Sequence, residues 1–235
     1  YHFAFFTISV ALFGLAASGL TVYLLPRVFR PERALSQASG AALALAVLVP
    51  TCFVLFAANP AQVFLTGFLK RAGEGGLSPV TVLQVGALYL SAVLPFYVGG
   101  LVMAIVFRHH GASASRLYFF DLVGAGLGCL VTVPLLDTAG GPSTMAAVSV
   151  LAALSAMAFA HAAGMRRRVA LAGLVTIAAA GLLALNPSTN WLHLKYFRGR
   201  EQDDVLFERW NSFSRVAVRD TGSPDSLLIE IDGAS

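Results

Sequence analysis

Six long apolar stretches dominate the chain and leave few folds open to it. They run roughly from Phe3 to Leu25, Ala38 to Ala58, Val82 to Phe107, Leu117 to Leu136, Thr144 to Ala163 and Val169 to Leu185. At ~1.5 Å per helical residue, each can cross about 30 Å of hydrocarbon. The last two are rich in Ala and are the least hydrophobic per residue. The stretches predict an all-α polytopic membrane protein with about six transmembrane helices. Composition agrees, with a mean hydropathy of +0.75 and only 12% charged residues. That is about half the charge of an ordinary soluble domain, too little to coat a soluble globule of this size. The first apolar run follows Tyr1 without a basic leader and exceeds a signal-peptide core, so it reads as a span.

The connectors set an orientation. Arg27, Arg30 and Arg33 follow the first span, Arg108 and Arg116 flank the third loop, and Arg166, Arg167 and Arg168 make the fifth. The second loop carries only Lys70 and Arg71, and the fourth, Asp137 to Pro142, has no basic residue. Positive loops stay in the cytoplasm, which places Tyr1 and everything after Leu185 on the far side. Between Asn59-Pro60 and Lys70, the residues Val63, Phe64, Leu65, Phe68 and Leu69 are too few to span and suit an interfacial helix. The pI near 9.4 does not indicate nucleic acid, because no basic patch is interleaved with aromatics. The partners expected are the lipid bilayer and other membrane chains, including a second copy.

After Asn186-Pro187 the composition changes. Residues 1–187 read as the transmembrane domain, 188–204 as an interfacial linker carrying Trp191, Tyr196 and Phe197, and 205–235 as a β-hairpin. Its strands are Val205-Leu206-Phe207 and Ser214 to Arg219, with Leu227 to Ile231 returning after the turn residues Thr221 to Asp225. A lone hairpin is marginal in water, so it should begin a larger soluble domain or pair with another chain.

Few residues carry chemistry. Gly124 and Gly128 stand one helical turn apart, as do Gly14 and Ser18, which is the small-residue spacing that lets helices approach closely. Gly124-Ala125-Gly126-Leu127-Gly128 superficially matches a nucleotide-binding loop, but no strand precedes it. Asp121 is the one acidic residue inside a predicted span. It fits either a polar contact near the helix start, with Arg116 or His110, or an ion or proton pathway. Pro50, Pro95 and Pro134 free carbonyls that neighbouring helices can satisfy. His109-His110 diverge on a helix and lack a Cys or acidic partner, and His161 stands alone near a helix end. Cys52 and Cys129 form no metal motif. The sequence therefore predicts no catalytic residue, no metal ligand and no cofactor site within this chain.

Three segments together resemble a bacterial family. Tyr1-His2-Phe3-Ala4-Phe5, with Ile8 to Gly14 and Ala17-Ser18-Gly19, resembles the second membrane helix of membrane-bound spermidine synthase-like proteins. Arg116 to Ala125, continuing to Pro134-Leu135-Leu136 and Gly140-Gly141-Pro142, is similar to a later helix of that family. Trp210-Asn211-Ser212-Phe213-Ser214-Arg215-Val216, with Ile229-Glu230-Ile231-Asp232-Gly233, resembles the hairpin before the aminopropyltransferase core. The resemblance implies another helix before Tyr1 and, after Ser235, a Rossmann-like domain. Such a domain would hold an S-adenosyl-type ligand on a glycine-rich loop. The hairpin departs from the soluble enzymes at Phe213-Ser214, where they commonly carry Tyr-Gln. The arginine count puts this domain outside the cytoplasm, away from decarboxylated S-adenosylmethionine, so a product other than spermidine is expected. The functional expectation is a membrane domain that positions an extracytoplasmic domain. A non-catalytic subunit of a membrane complex and a transporter built on Asp121 are the alternatives.

Overall fold

The computed structural model describes residues 2–57, 79–189, 196–197, 200–201, 205–220 and 227–231. Five long helices account for most of it: α1 (His2–Leu24), α2 (Ala34–Ala57), α3 (Pro79–His109), α4 (Ala114–Ala162) and α5 (Arg166–Thr189). All five are long and apolar enough to cross a membrane. The predicted interfacial stretch Val63–Leu69 and Trp191 lie outside the described residues.

The six expected spans appear as five long helices because the fourth and fifth, 117–136 and 144–163, adjoin at a kink within Asp137 to Pro142 instead of being separated by an open loop. At the kink, Gly140 has the non-helical backbone φ 78° and ψ 169°. An L side chain resists that backbone, whereas glycine adopts it freely. Pro142 then sits in the first turn of the following segment, where its missing N–H is harmless. The two predicted spans at 117–136 and 144–163 thus become the two arms of one broken helix.

The helices pack as a row. α1 lies against α3, α3 against α2, α2 against the arm of α4 after Gly140, and that arm against α5. Small residues line the seams. Ala38, Ser39, Ala42 and Ala46 of α2 are buried, as are Ala146, Ser149, Ala153, Ala156 and Ala160 of α4 and Ala172 and Ala179 of α5. Of the two Ala-rich spans, the arm of α4 after Gly140 is densely buried, whereas α5 buries only Ala172, Ala179 and Asn186 among its described side chains. A methyl or hydroxymethyl side chain lets two helix axes close up, so backbone and Cβ atoms gain dispersion contacts that Leu would hold apart. Large apolar side chains point outward instead, including Phe5, Leu83, Leu130, Leu174 and Ile177.

Hydroxyls stitch these seams through the proline positions. Pro50 has no N–H to give to the carbonyl of Ala46, four residues earlier. Ser149 Oγ, from α4, donates to that carbonyl instead. Ser39 Oγ donates to the Ala156 carbonyl at 2.9 Å, in the antiparallel register that the pair 46/149 requires. At one end of the row the same logic uses arginine. Pro26 leaves the Val22 carbonyl of α1 without an amide donor, and Arg108 Nη1 of α3 donates to it. Arg168 Nη1 of α5 reaches the carbonyl of Ser36 and, at 3.0 Å, its Oγ. Val22, Ala34, Ala38 and Ile105 share a buried cluster here, with Phe159 packed on it. The three arginine-bearing connectors therefore lie at one end of the helices.

The three expected strands are present, and a further short pair precedes them. β3 (Val205–Trp210), β4 (Arg215–Asp220) and β5 (Leu227–Ile231) form a three-stranded antiparallel sheet in that order, and β1 (Tyr196–Phe197) pairs with β2 (Arg200–Glu201). Its two faces run against ordinary amphipathicity. Arg215, Ala217 and Glu230 are buried on one face, while Phe207, Ile229 and Ile231 are exposed on the other.

Candidate functional site

The described part of the sheet meets the helices at the break in α4. Gly140 and Gly141 present bare backbone, and the indole of Trp210, the last residue of β3, lies flat on it. A Cβ at Gly140 would stand 3.2 Å from Trp210 Cδ1, and one at Gly141 3.0 Å from Cζ3 and 3.1 Å from Cε3 and Cη2. Gly140 is thus required twice, for its positive φ and for the ring above it. Gly141 is required for the ring alone.

The alternation of β3 fixes how the indole is held. Glu208 and Trp210 share a face because they are two residues apart, and Arg215 is paired directly opposite Trp210 in β4. Trp210 Nε1 donates to Glu208 Oε1. Arg215 grips the same carboxylate with both prongs, Nε to Oε1 at 3.0 Å and Nη2 to Oε2 at 3.2 Å. Such a fork fixes orientation as well as distance. Arg215 is only 1% exposed and Glu208 33%, so the pair is formed at the edge of the buried face. On the same face, Arg219 lies 3.5 Å from the buried Glu230.

A second contact comes from the turn after Trp210. Asn211 Oδ1 accepts the backbone N–H groups of Phe213 at 2.8 Å and Ser214 at 2.6 Å, closing the turn. This is the local Asx geometry that favours Asn at turn starts. The remaining outward N–H, that of Ser212, donates to Asp137 Oδ1 at 2.9 Å. Asp137 lies three residues before Gly140, so ring and turn engage both sides of the helix break. Just below, the buried Asn186 Nδ2 of α5 donates to Ser143 Oγ at 3.0 Å, tying α5 to the first turn after the break.

These side chains position one another. Burying half of the ~200 Å² of an indole contributes about 2.5 kcal/mol at ~25 cal/mol per Å², and an exposed charge-assisted hydrogen bond about 1 kcal/mol. The arrangement holds a sheet on a helix break.

The sequence-selected residues separate into two groups. Gly14 and Ser18 are in a close seam. A Cβ on Gly14 would meet Phe96 Cβ at 2.9 Å, Tyr97 N at 3.0 Å and Val93 O at 3.1 Å, and Ser18 packs against Gly100. Tyr97 adds a bond from its hydroxyl to Thr21 Oγ1 at 3.1 Å. Gly124 and Gly128 face open space, with no neighbouring side chain or backbone within 4 Å of a Cβ at either position. None of residues 114–139 is buried. Asp121 is exposed on this arm, and among the described residues it has no hydrogen-bond or ion-pair partner. Among the described residues no group of three His, Cys, Asp or Glu side chains is arranged to hold a metal.

Sequence reasoning missed the seat of Trp210. Its two halves are about seventy residues apart, and Gly140-Gly141-Pro142 reads locally as an ordinary turn. Comparison of the chain with protein families, curated proteins and solved structures gave no match.

Proposed function

We propose that the helices span a bacterial cytoplasmic membrane and that this domain anchors and orients a soluble domain on the face opposite the arginines. The observation that carries the reading is the seat of the sheet: Trp210 on Gly140-Gly141 and Ser212 on Asp137. A domain merely tethered by a linker needs no such seat, whereas one held in a set orientation does. The five long apolar helices and the arginines gathered at one end support the membrane placement. The resemblance to spermidine synthase-like proteins supports a Rossmann-like partner domain, and an S-adenosyl-type ligand belongs to the proposal only with that domain.

Thiol labelling tests it. In a background with Cys52 and Cys129 replaced by Ala, a membrane-impermeant reagent should label Ser226→Cys in intact cells. It should label Gly111→Cys only after permeabilisation. The reverse pattern overturns the orientation, and release of the chain by alkaline carbonate overturns the membrane reading.

A specific observation favours a second reading. The arm of α4 before Gly140 buries no residue, as expected of a subunit whose partner helix belongs to another chain. Gentle detergent extraction and a native gel separate the two, since migration as a lone monomer counts against the second. Transport through Asp121 has thinner support, and unchanged transport in Asp121→Asn would remove it.

A further inference from the structure

A groove of about 310 Å³ lies between the last turns of α1 and α3, lined by Gly19, Val22, Tyr23, Ala104 and Arg108. Its shape follows from the sequence. Gly19 contributes no side chain and has nothing within 4 Å of its Cβ position, and Ala104 contributes one methyl. Val22 forms part of the buried seam, while Tyr23 is 75% exposed. The polar end is fixed by Pro26. Because Pro26 cannot donate to the Val22 carbonyl, Arg108 does so, and the guanidinium is held at the groove. Arg108 has five N–H donors, and among the described residues the Val22 carbonyl is its only acceptor.

The surroundings supply the charge. Arg27, Arg30, Arg33, Arg116, Arg166, Arg167 and Arg168 belong to the same end, against one acidic residue in these connectors, Glu32. We propose that this groove binds an anionic phospholipid, with one acyl chain along Gly19, Val22 and Ala104 and the headgroup phosphate on Arg108. The proposal rests on the membrane placement above. A groove bounded mainly by carbon offers water few hydrogen bonds and suits an acyl chain. A basic pocket between helices at the cytoplasmic end suits an anionic headgroup. A free phosphate would meet the same guanidinium but leave the apolar groove unfilled.

The test uses the full chain in mild detergent, titrated with phosphatidylglycerol and with phosphatidylcholine of the same acyl chains, bound lipid being read by native mass spectrometry. We expect one saturable site with at least a fivefold preference for phosphatidylglycerol. Gly19→Leu fills the groove without touching Arg108 and should abolish the site. Gly181→Leu, at another open glycine, should not. Arg108→Gln should reduce phosphatidylglycerol to the phosphatidylcholine level, and Arg108→Lys, which keeps the charge and a donor, should restore much of the preference. Equal binding of the two lipids, or undiminished binding in Gly19→Leu, overturns the proposal. Competition by water-soluble glycerophosphoglycerol overturns it in favour of a simple phosphate site. Carbonate extraction of the membranes before they are solubilised separates the two levels. Release from the membrane overturns both the placement and the site, whereas retention with equal lipid binding overturns the site alone.

Discussion

Two pairs of small residues with the same spacing have opposite surroundings in this molecule. Gly14 and Ser18 are pressed against α3 so closely that a methyl at Gly14 would meet backbone atoms of Val93 and Tyr97. Gly124 and Gly128 carry the same one-turn spacing and meet nothing. The spacing alone therefore specifies a smooth helix face, not a partner. What decides is whether another helix lies opposite: α3 brings Phe96 Cβ and the backbone of Val93 and Tyr97 against Gly14. α3 supplies Gly100 opposite Ser18, and nothing described lies opposite Gly124.

The sharpest way to break this comparison is to place the same side chain in both settings. Gly14→Leu must move the backbone of α3 and should cost about 3 kcal/mol, near the upper end of ordinary overpacking, read as a lower unfolding midpoint in detergent. If Gly14→Leu is tolerated, the seam is looser than its distances state. Trp210→Ala comes next, at about 2.5 kcal/mol. Its effect should be confined to the sheet, with amide exchange rising over residues 205–220 while the helices stay protected. Uniform exchange across the chain would mean that sheet and helices unfold together. Ser149→Ala removes the donor that replaces the missing Pro50 amide and should cost about 1–2 kcal/mol. Thr132→Ala, whose hydroxyl bonds only its own helix at Gly128, should cost almost nothing. The smallest effect belongs to Gly124→Leu, which should leave the unfolding midpoint of the monomer within about 0.5 kcal/mol of the parent. A lowered midpoint would show that Gly124 has a partner within the chain. A change in association alone, seen by cross-linking, would assign the bare arm of α4 to an interface between chains.

Much of the helical layout was legible because hydrophobic length is a local property. Each predicted span overlaps a helix, and the break at Gly140 falls in the stretch Asp137 to Pro142, which the sequence marks as a connection. The nature of the break was not legible, since a glycine at a kink between adjoining helices and a glycine in a loop have the same neighbours in sequence. The Ala seams were visible as residues and misjudged as chemistry. Hydropathy rewards large side chains, whereas close packing here rewards small ones at 38, 42, 46 and at 146, 149, 153, 156, 160. Of the sheet, strand positions could be read from alternation. The inversion of its faces could not, because the reason Arg215 is buried lies in its fork to Glu208 and in the helix break under Trp210.

The row of helices has a further consequence in the order of synthesis. Neighbours in space are α1, α3, α2, while the ribosome delivers α1, α2, α3. The close seam of α1 has to wait for Gly100, eighty-six residues after Gly14, which is roughly 4–17 s at ordinary elongation rates of ~5–20 residues per second. The polypeptide thus completes its architecture by insertion rather than by accretion, and the guanidinium of Arg108 closes the late arrival by reaching the carbonyl that Pro26 left unanswered.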